Sequence, residues 1–144
     1  MDNRMYVEFD SISSNESLAR IMVAAFLTKL DPTLEELGDV KTAVSEAVTN
    51  AIIHGYEEKE GTVSMECLIH DREFTVIVTD RGVGIEDIEK AKEPMFTTKE
   101  EEERSGMGFS FMEIFMDSLL VESEKGKGTR ITMKKMMKEG RSTK

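Results

Sequence analysis

The chain has 144 residues, with 19 Lys or Arg against 29 Asp or Glu, for a net charge of −10. That length favours one domain of roughly 100–200 residues, able to bury about 68–70% of its unfolded surface around a single core. A hydrophobic share of 39% excludes a disordered composition, and no run approaches the ~18 unbroken apolar residues of a membrane helix. The opening Met1-Asp2-Asn3-Arg4 has no basic region leading into an apolar stretch, so no signal peptide is expected. Cys67 is the only cysteine, which excludes an internal disulfide and a multi-cysteine zinc site and fits a cytoplasmic location.

The charge is unevenly spread. Residues 125–144 hold eight basic residues and one acid, leaving −17 on residues 1–124. An acidic body repels nucleic acid, so no direct nucleic-acid partner is expected. The reading places one domain over 1–136 and a basic, flexible tail over 137–144.

In chain order, residues 4–10 alternate as a strand with Met5, Val7 and Phe9 on one face. Ser13, Ser14 or Asn15 can cap a helix whose apolar stripe is Leu18, Ile21, Met22, Ala25 and Phe26. Asp31-Pro32-Thr33 breaks it and starts a second helix, with Leu34, Leu37, Val40, Val44, Ala47, Val48 and Ala51 on its apolar side and an end near Gly55. Val63, Met65, Cys67 and Ile69 alternate as a strand, Asp71-Arg72 turns, and Phe74 to Thr79 returns as its partner. A loop at 80–84 precedes a short helix over 86–92 and a mobile loop over 93–106. A helix from Phe109 to Met116 and two strands near 118–123 and 129–136 complete the order. The pattern predicts an α/β fold, a two-layer sandwich with a mixed sheet and helices on one face.

Three local patterns carry chemistry. Glu46, Asn50 and His54 recur at i, i+4, i+8 and so share a helix face. A solvated polar face fits them, and so does a ligand-facing set. In the second reading a carboxylate accepts a proton and an amide oxygen suits a hard cation such as Mg²⁺. Asp80-Arg81-Gly82-Val83-Gly84 follows an apolar strand. A carboxylate there can accept an amine N–H, and the glycines permit a sharp turn and close approach. A plain turn fits it too. Ser105-Gly106-Met107-Gly108-Phe109 opens a helix, where exposed N–H groups favour anions, with Lys99 and Arg104 before it. Gly128-Thr129 opens the last strand. No Walker-type phosphate loop and no eukaryotic kinase motif set is present.

In that order the patterns resemble the GHKL nucleotide-binding superfamily, from about Leu34 to Met133. Glu46 to Asn50 looks like its N box, Asp80 to Gly84 its first glycine box and Gly106 to Gly108 its second. The resemblance implies Mg-ATP bound under a lid, with ATP/ADP and Mg²⁺ as ligands. Carried over, Asn50 would hold Mg²⁺, and Asp80 with Gly82, Gly84 and Thr129 would serve the adenine side. The backbone at Gly106, Met107, Gly108 and Phe109 would hold the phosphates with Lys99 or Arg104, Thr98 and Ser105 would also contact the nucleotide, and Glu46 would be the general base. The phrases Ser45 to Tyr56, Phe96-Thr97-Thr98-Lys99 and Glu103 to Phe109 are similar to those of the anti-sigma serine kinases. That likeness implies two activities, inhibition of a sporulation sigma factor and phosphorylation of a serine on an anti-anti-sigma factor. It also implies a homodimer without membrane attachment. Arg20, on the polar side of the first predicted helix, is a candidate partner contact. An ATP-gated binding module and a small ATP hydrolase are the alternatives.

Overall fold

The computed structural model describes residues 2–57, 59–85, 87–88 and 107–138. The elements run β1 (Asp2–Asp10), α1 (Ser14–Leu27), a 3-10 turn (Thr28–Leu30), α2 (Leu34–Thr49) and a π-helical turn (Asn50–Gly55). After these come β2 (Thr62–His70), β3 (Glu73–Asp80), α3 (Met107–Phe115), β4 (Ser118–Glu124) and β5 (Gly128–Met136). The predicted short helix at 86–92 falls almost entirely outside the described residues, and the predicted loop at 93–106 does so completely.

Five strands form one sheet in the order β1-β2-β3-β5-β4. Among the described residues every pairing is antiparallel, so the sheet is not mixed as the sequence pattern predicts. The reason lies in the last hairpin. β5 folds back from β4 and inserts beside β3, so the parallel pair β3 and β4 never become neighbours.

The two-layer α/β expectation holds. Val63, Met65, Cys67 and Ile69 of β2 and Phe74, Val76 and Val78 of β3 are buried, while the residues between them are half-buried. Period-two alternation therefore turns one face of the sheet into the core, and the helices cover that face. Cys67 belongs to this layer, and burial, then the Glu66 charge, pushes its thiol up to about 12. It acts as a small apolar side chain, not as a nucleophile.

Helix α1 buries a stripe shifted from the predicted one: Phe26 is buried and Met22 packs against the core as expected, but the rest differs. Ala19, Val23, Phe26 and Leu27 face the core, whereas Leu18 and Ile21 are 43% and 66% exposed. Both stripes have helical spacing, so periodicity alone cannot choose. Small residues at 19 and 23 suit the close approach of α1 to α2. Leu34, placed on the apolar side of the second helix, is instead exposed at its first turn.

Helix α2 starts with a reciprocal cap: Thr33 Oγ1 accepts Glu36 N–H and Glu36 Oε1 accepts Thr33 N–H, both at 2.9 Å. Glu36 Oε2 also accepts the Lys138 N–H at 2.8 Å. Burial pushes the Glu36 carboxyl up, but these N–H groups outweigh it and hold the group low. Arg72 donates to the carbonyls of Leu30, Met137 and Lys138. Met137 is buried, so packing continues past residue 136. This clamp fastens the end of the sheet where Glu73 pairs with Met136, leaving the Asp80–Thr129 end to form a cleft.

Candidate nucleotide site

Helix α2 delivers Asn50 to the cleft and then changes winding. The Tyr56 N–H bonds to the Ala51 carbonyl, five residues back, at 3.0 Å. Such π-turns are rare and often mark functional sites. Here the wider turn carries Asn50, His54 and Gly55 to the mouth of β3. Asn50 is 8% exposed, and its Nδ2 is buried with no hydrogen-bond partner among the described residues. An orphaned buried donor costs about 1–3 kcal/mol, so the carboxamide is set to be completed by a ligand.

Asp80 ends β3 and is 6% exposed. Its Oδ1 accepts the Gly82 N–H at 2.9 Å. Burial pushes its carboxyl up to about 6, against the lowering effect of the Gly82 and Thr129 N–H groups. Moving the group from 3.8 to about 6 makes ionisation cost about 3 kcal/mol in the folded state. The folded protein therefore holds this proton more tightly than the unfolded chain. The contribution is fully present below about pH 4 and is lost as pH rises through about 6. The unfolding free energy of the ligand-free protein, relative to Asp80→Asn, is expected to rise as pH falls from 7 to 4. Urea titrations across that range check it.

The glycines here serve backbone contact more than a ring. A Cβ on Gly82 would lie 1.8 Å from the Gly55 carbonyl oxygen, and one on Gly55 would lie 2.6 Å from the Asp80 carboxylate. Val83 N–H bonds to that same Gly55 carbonyl at 2.8 Å. Gly84, at φ +77, backs onto the Glu124 carbonyl, and Gly128, at φ +103, backs onto the Asp80 carbonyl. The turn after α2, the 80–84 loop and the β4–β5 hairpin thus interlock through bare backbone. Gly82→Ala is expected to cost about 1–3 kcal/mol and to weaken ligand binding, as read by urea unfolding and calorimetry.

A second network fixes the far wall. Ser123 Oγ accepts the Ile85 N–H at 2.7 Å and lies 2.8 Å from both the Gly128 carbonyl and Thr129 Oγ1. With Ser123 donating to Gly128, the Thr129 hydroxyl donates to Ser123 and keeps acceptor lone pairs for the cleft.

The result is a cleft of about 340 Å³ lined by Asn50, His54, Gly55, Glu57, Asp80, Val83, Gly84, Ile85, Phe109, Thr129 and Ile131. Its size and mixture of apolar walls with a few polar groups suit a small ligand. Asn50, Asp80, Gly84, Phe109 and Thr129 come together as the sequence predicts, and Gly82 supports them from behind. Met107 and Gly108 open α3. Thr98, Lys99, Arg104, Ser105 and Gly106 lie outside the described residues.

Glu46 is not on the cleft wall. It sits half-buried on α2, one turn before Asn50, and burial followed by the Glu16 charge pushes its carboxyl up. Arg20 is not a free surface charge: its Nε pairs with Glu16 Oε2 at 2.5 Å. The sequence reading missed Ser123 and Glu57 and did not assign Gly55 or Gly128 to the site. The glycines were visible as punctuation, whereas a lone Ser or Glu in a polar stretch has no distinguishing signal.

For Mg²⁺, the described residues of the cleft offer the Asn50 carboxamide oxygen. Among the described residues there is no cluster of three or more His, Cys, Asp or Glu that would hold a metal. That sparse donor set fits an ion bound through one side chain, water and substrate phosphates.

The interlocked glycine loops, the buried carboxylate at a strand end and the amide on the facing helix define a nucleotide-binding α/β domain. The chain belongs to the histidine kinase-like ATPase domain family, whose model matches residues 13–135. It is 65% identical over 135 residues to the anti-sigma F factor of Clostridium kluyveri, covering 94% of this chain and 95% of that one. It is 62% identical to the anti-sigma F factor of Clostridium acetobutylicum, covering 94% of each. Its fold is similar to the RsbU and RsbW domains of a Mycobacterium tuberculosis protein, with TM-score 0.70 at 17% identity, over 96% of this chain and 33% of that one. The catalytic domain of the histidine kinase ThkA matches with TM-score 0.55 at 17% identity, over 92% and 96%. No helix among the described residues is long and apolar enough to cross a membrane.

Proposed function

We propose that this chain is an anti-sigma factor with protein-serine kinase activity, consuming ATP at the cleft between α2 and the β3–β5 end of the sheet. The observation that carries this reading is the meeting of Asn50 and Asp80 on the walls of one cleft, in a chain whose near-full-length relatives are named anti-sigma F factors. Sigma-factor inhibition is assigned from those relatives. Homodimerisation and an anti-anti-sigma substrate remain assigned from the family resemblance.

In this reading Asp80 accepts an N–H of the base and Thr129 adds an acceptor beside it. Val83, Ile85, Phe109 and Ile131 supply the apolar walls for a flat ring. Asn50 holds Mg²⁺, which when bound neutralises phosphate charge. Phosphoryl transfer depends mainly on alignment and charge stabilisation. The serine oxygen of the protein substrate forms a bond to the γ-phosphorus as the bond to the departing ADP oxygen breaks. Glu46 takes the serine proton. Its position off the cleft wall suits that task, because the serine arrives from outside, and its raised carboxyl strengthens it as a base. Arg20, paired with Glu16 on a helix that exposes Leu18 and Ile21, is the proposed partner contact.

The test is transfer of labelled γ-phosphoryl to a serine of an anti-anti-sigma protein, with ATP and Mg²⁺ present. Partner-dependent label on serine supports the kinase reading. Phosphate release without a partner favours a hydrolase, and ATP binding without turnover favours an ATP-gated module.

A further inference from the structure

Two polar residues of the cleft have no part in the chemistry above: His54 and Glu57. His54 lies on the π-helical turn that carries Asn50 and Gly55, and Glu57 follows the residue that caps that turn, Tyr56; Gly55 itself is pressed against the Asp80 carboxylate. Both line the same cleft as Asn50 and Asp80. Glu57 is exposed at the mouth, and its backbone has φ +53, a left-handed conformation uncommon for a non-glycine residue. The strain is held in place from both sides. Tyr56 Oη donates to the Thr62 carbonyl and accepts the Arg81 N–H, both at 2.7 Å. The Lys59 N–H closes onto the Tyr56 carbonyl at 2.8 Å. Strained backbone kept by such a frame is found at ligand sites more than elsewhere.

The chemistry of a carboxylate narrows what it meets. It repels phosphate, and it cannot bind the ring nitrogens of a base, which are acceptors as well. The amino group of the base is taken by Asp80 in the reading above. The hydroxyl donors of a sugar remain, and carboxylates bind such hydroxyls in other nucleotide folds. We infer that Glu57, with His54 beside it, forms a ribose-recognition corner of this cleft, an inference that rests on the nucleotide reading.

The experiment is calorimetry of the full chain with Mg-ATP and with the Mg complex of 2′,3′-dideoxyATP. Wild type is expected to prefer the ribonucleotide about tenfold, the lower end for a charge-assisted hydrogen bond. Glu57→Gln should bring that ratio near one while leaving the dideoxy affinity unchanged. Glu57→Gly, which suits a left-handed backbone, should do the same and shows that the effect is not a folding defect. A wild-type ratio near one, or a preference kept by both variants, overturns the ribose corner and leaves the nucleotide reading standing. Failure of the wild type to bind either nucleotide overturns both.

Discussion

Glu46→Ala is expected to lower phosphoryl transfer to the partner serine by about 10²–10⁴, the usual contribution of a general base, while ATP binding changes little. The split follows from the geometry. Glu46 is one helical turn, roughly 6 Å of rise, from Asn50 but does not line the cleft. Its loss therefore removes a proton acceptor without removing a nucleotide contact. Single-turnover transfer kinetics beside nucleotide calorimetry check both halves. Full-rate transfer by the variant removes Glu46 from the role, and equal losses in binding and rate place it in nucleotide contact instead.

Asp80→Asn is expected to weaken ATP binding by roughly ten- to a hundredfold, the equivalent of a charge-assisted hydrogen bond of about 1.5–3 kcal/mol. The substitution keeps the side chain's shape in a site where Gly55 leaves no room for a larger one. It also removes a carboxyl that burial pushes up to about 6. The ligand-free variant should therefore be no less stable than wild type at neutral pH, although it binds ATP poorly. Urea unfolding and calorimetry on the same samples separate the two effects.

Much of this architecture was legible because two periods alternate clearly along the chain. β2, β3, β4 and β5 fall where the apolar spacing and turn residues put them. Parallel or antiparallel pairing was not legible, since the insertion of β5 between β3 and β4 depends on a long-range choice that local pattern does not encode. Helix α1 exposed a second limit. It has two apolar stripes, and tertiary packing buries Ala19 and Val23 while Leu18 and Ile21 stay exposed. In the site, Asn50 stood out because it shares a helix face with Glu46 one turn away, and Asp80 because it ends an apolar strand just before a glycine loop. Gly82 was noticed for a different reason from its actual one. It makes room for the Gly55 backbone, which becomes visible only when the loop and helix are brought together. The π-turn that aims Asn50 and His54 had no sequence signature at all.

The most direct test of the claim that Asn50 and Asp80 serve opposite ends of one bound nucleotide is calorimetry with two ligands, Mg-ATP and adenosine. Asp80→Asn should weaken both by the same factor, because both carry the base. Asn50→Ala should weaken Mg-ATP and leave adenosine unchanged, because only the first carries phosphates and metal. If Asn50→Ala weakens adenosine as much as Mg-ATP, or Asp80→Asn leaves adenosine binding intact, the assignment of the two ends is wrong.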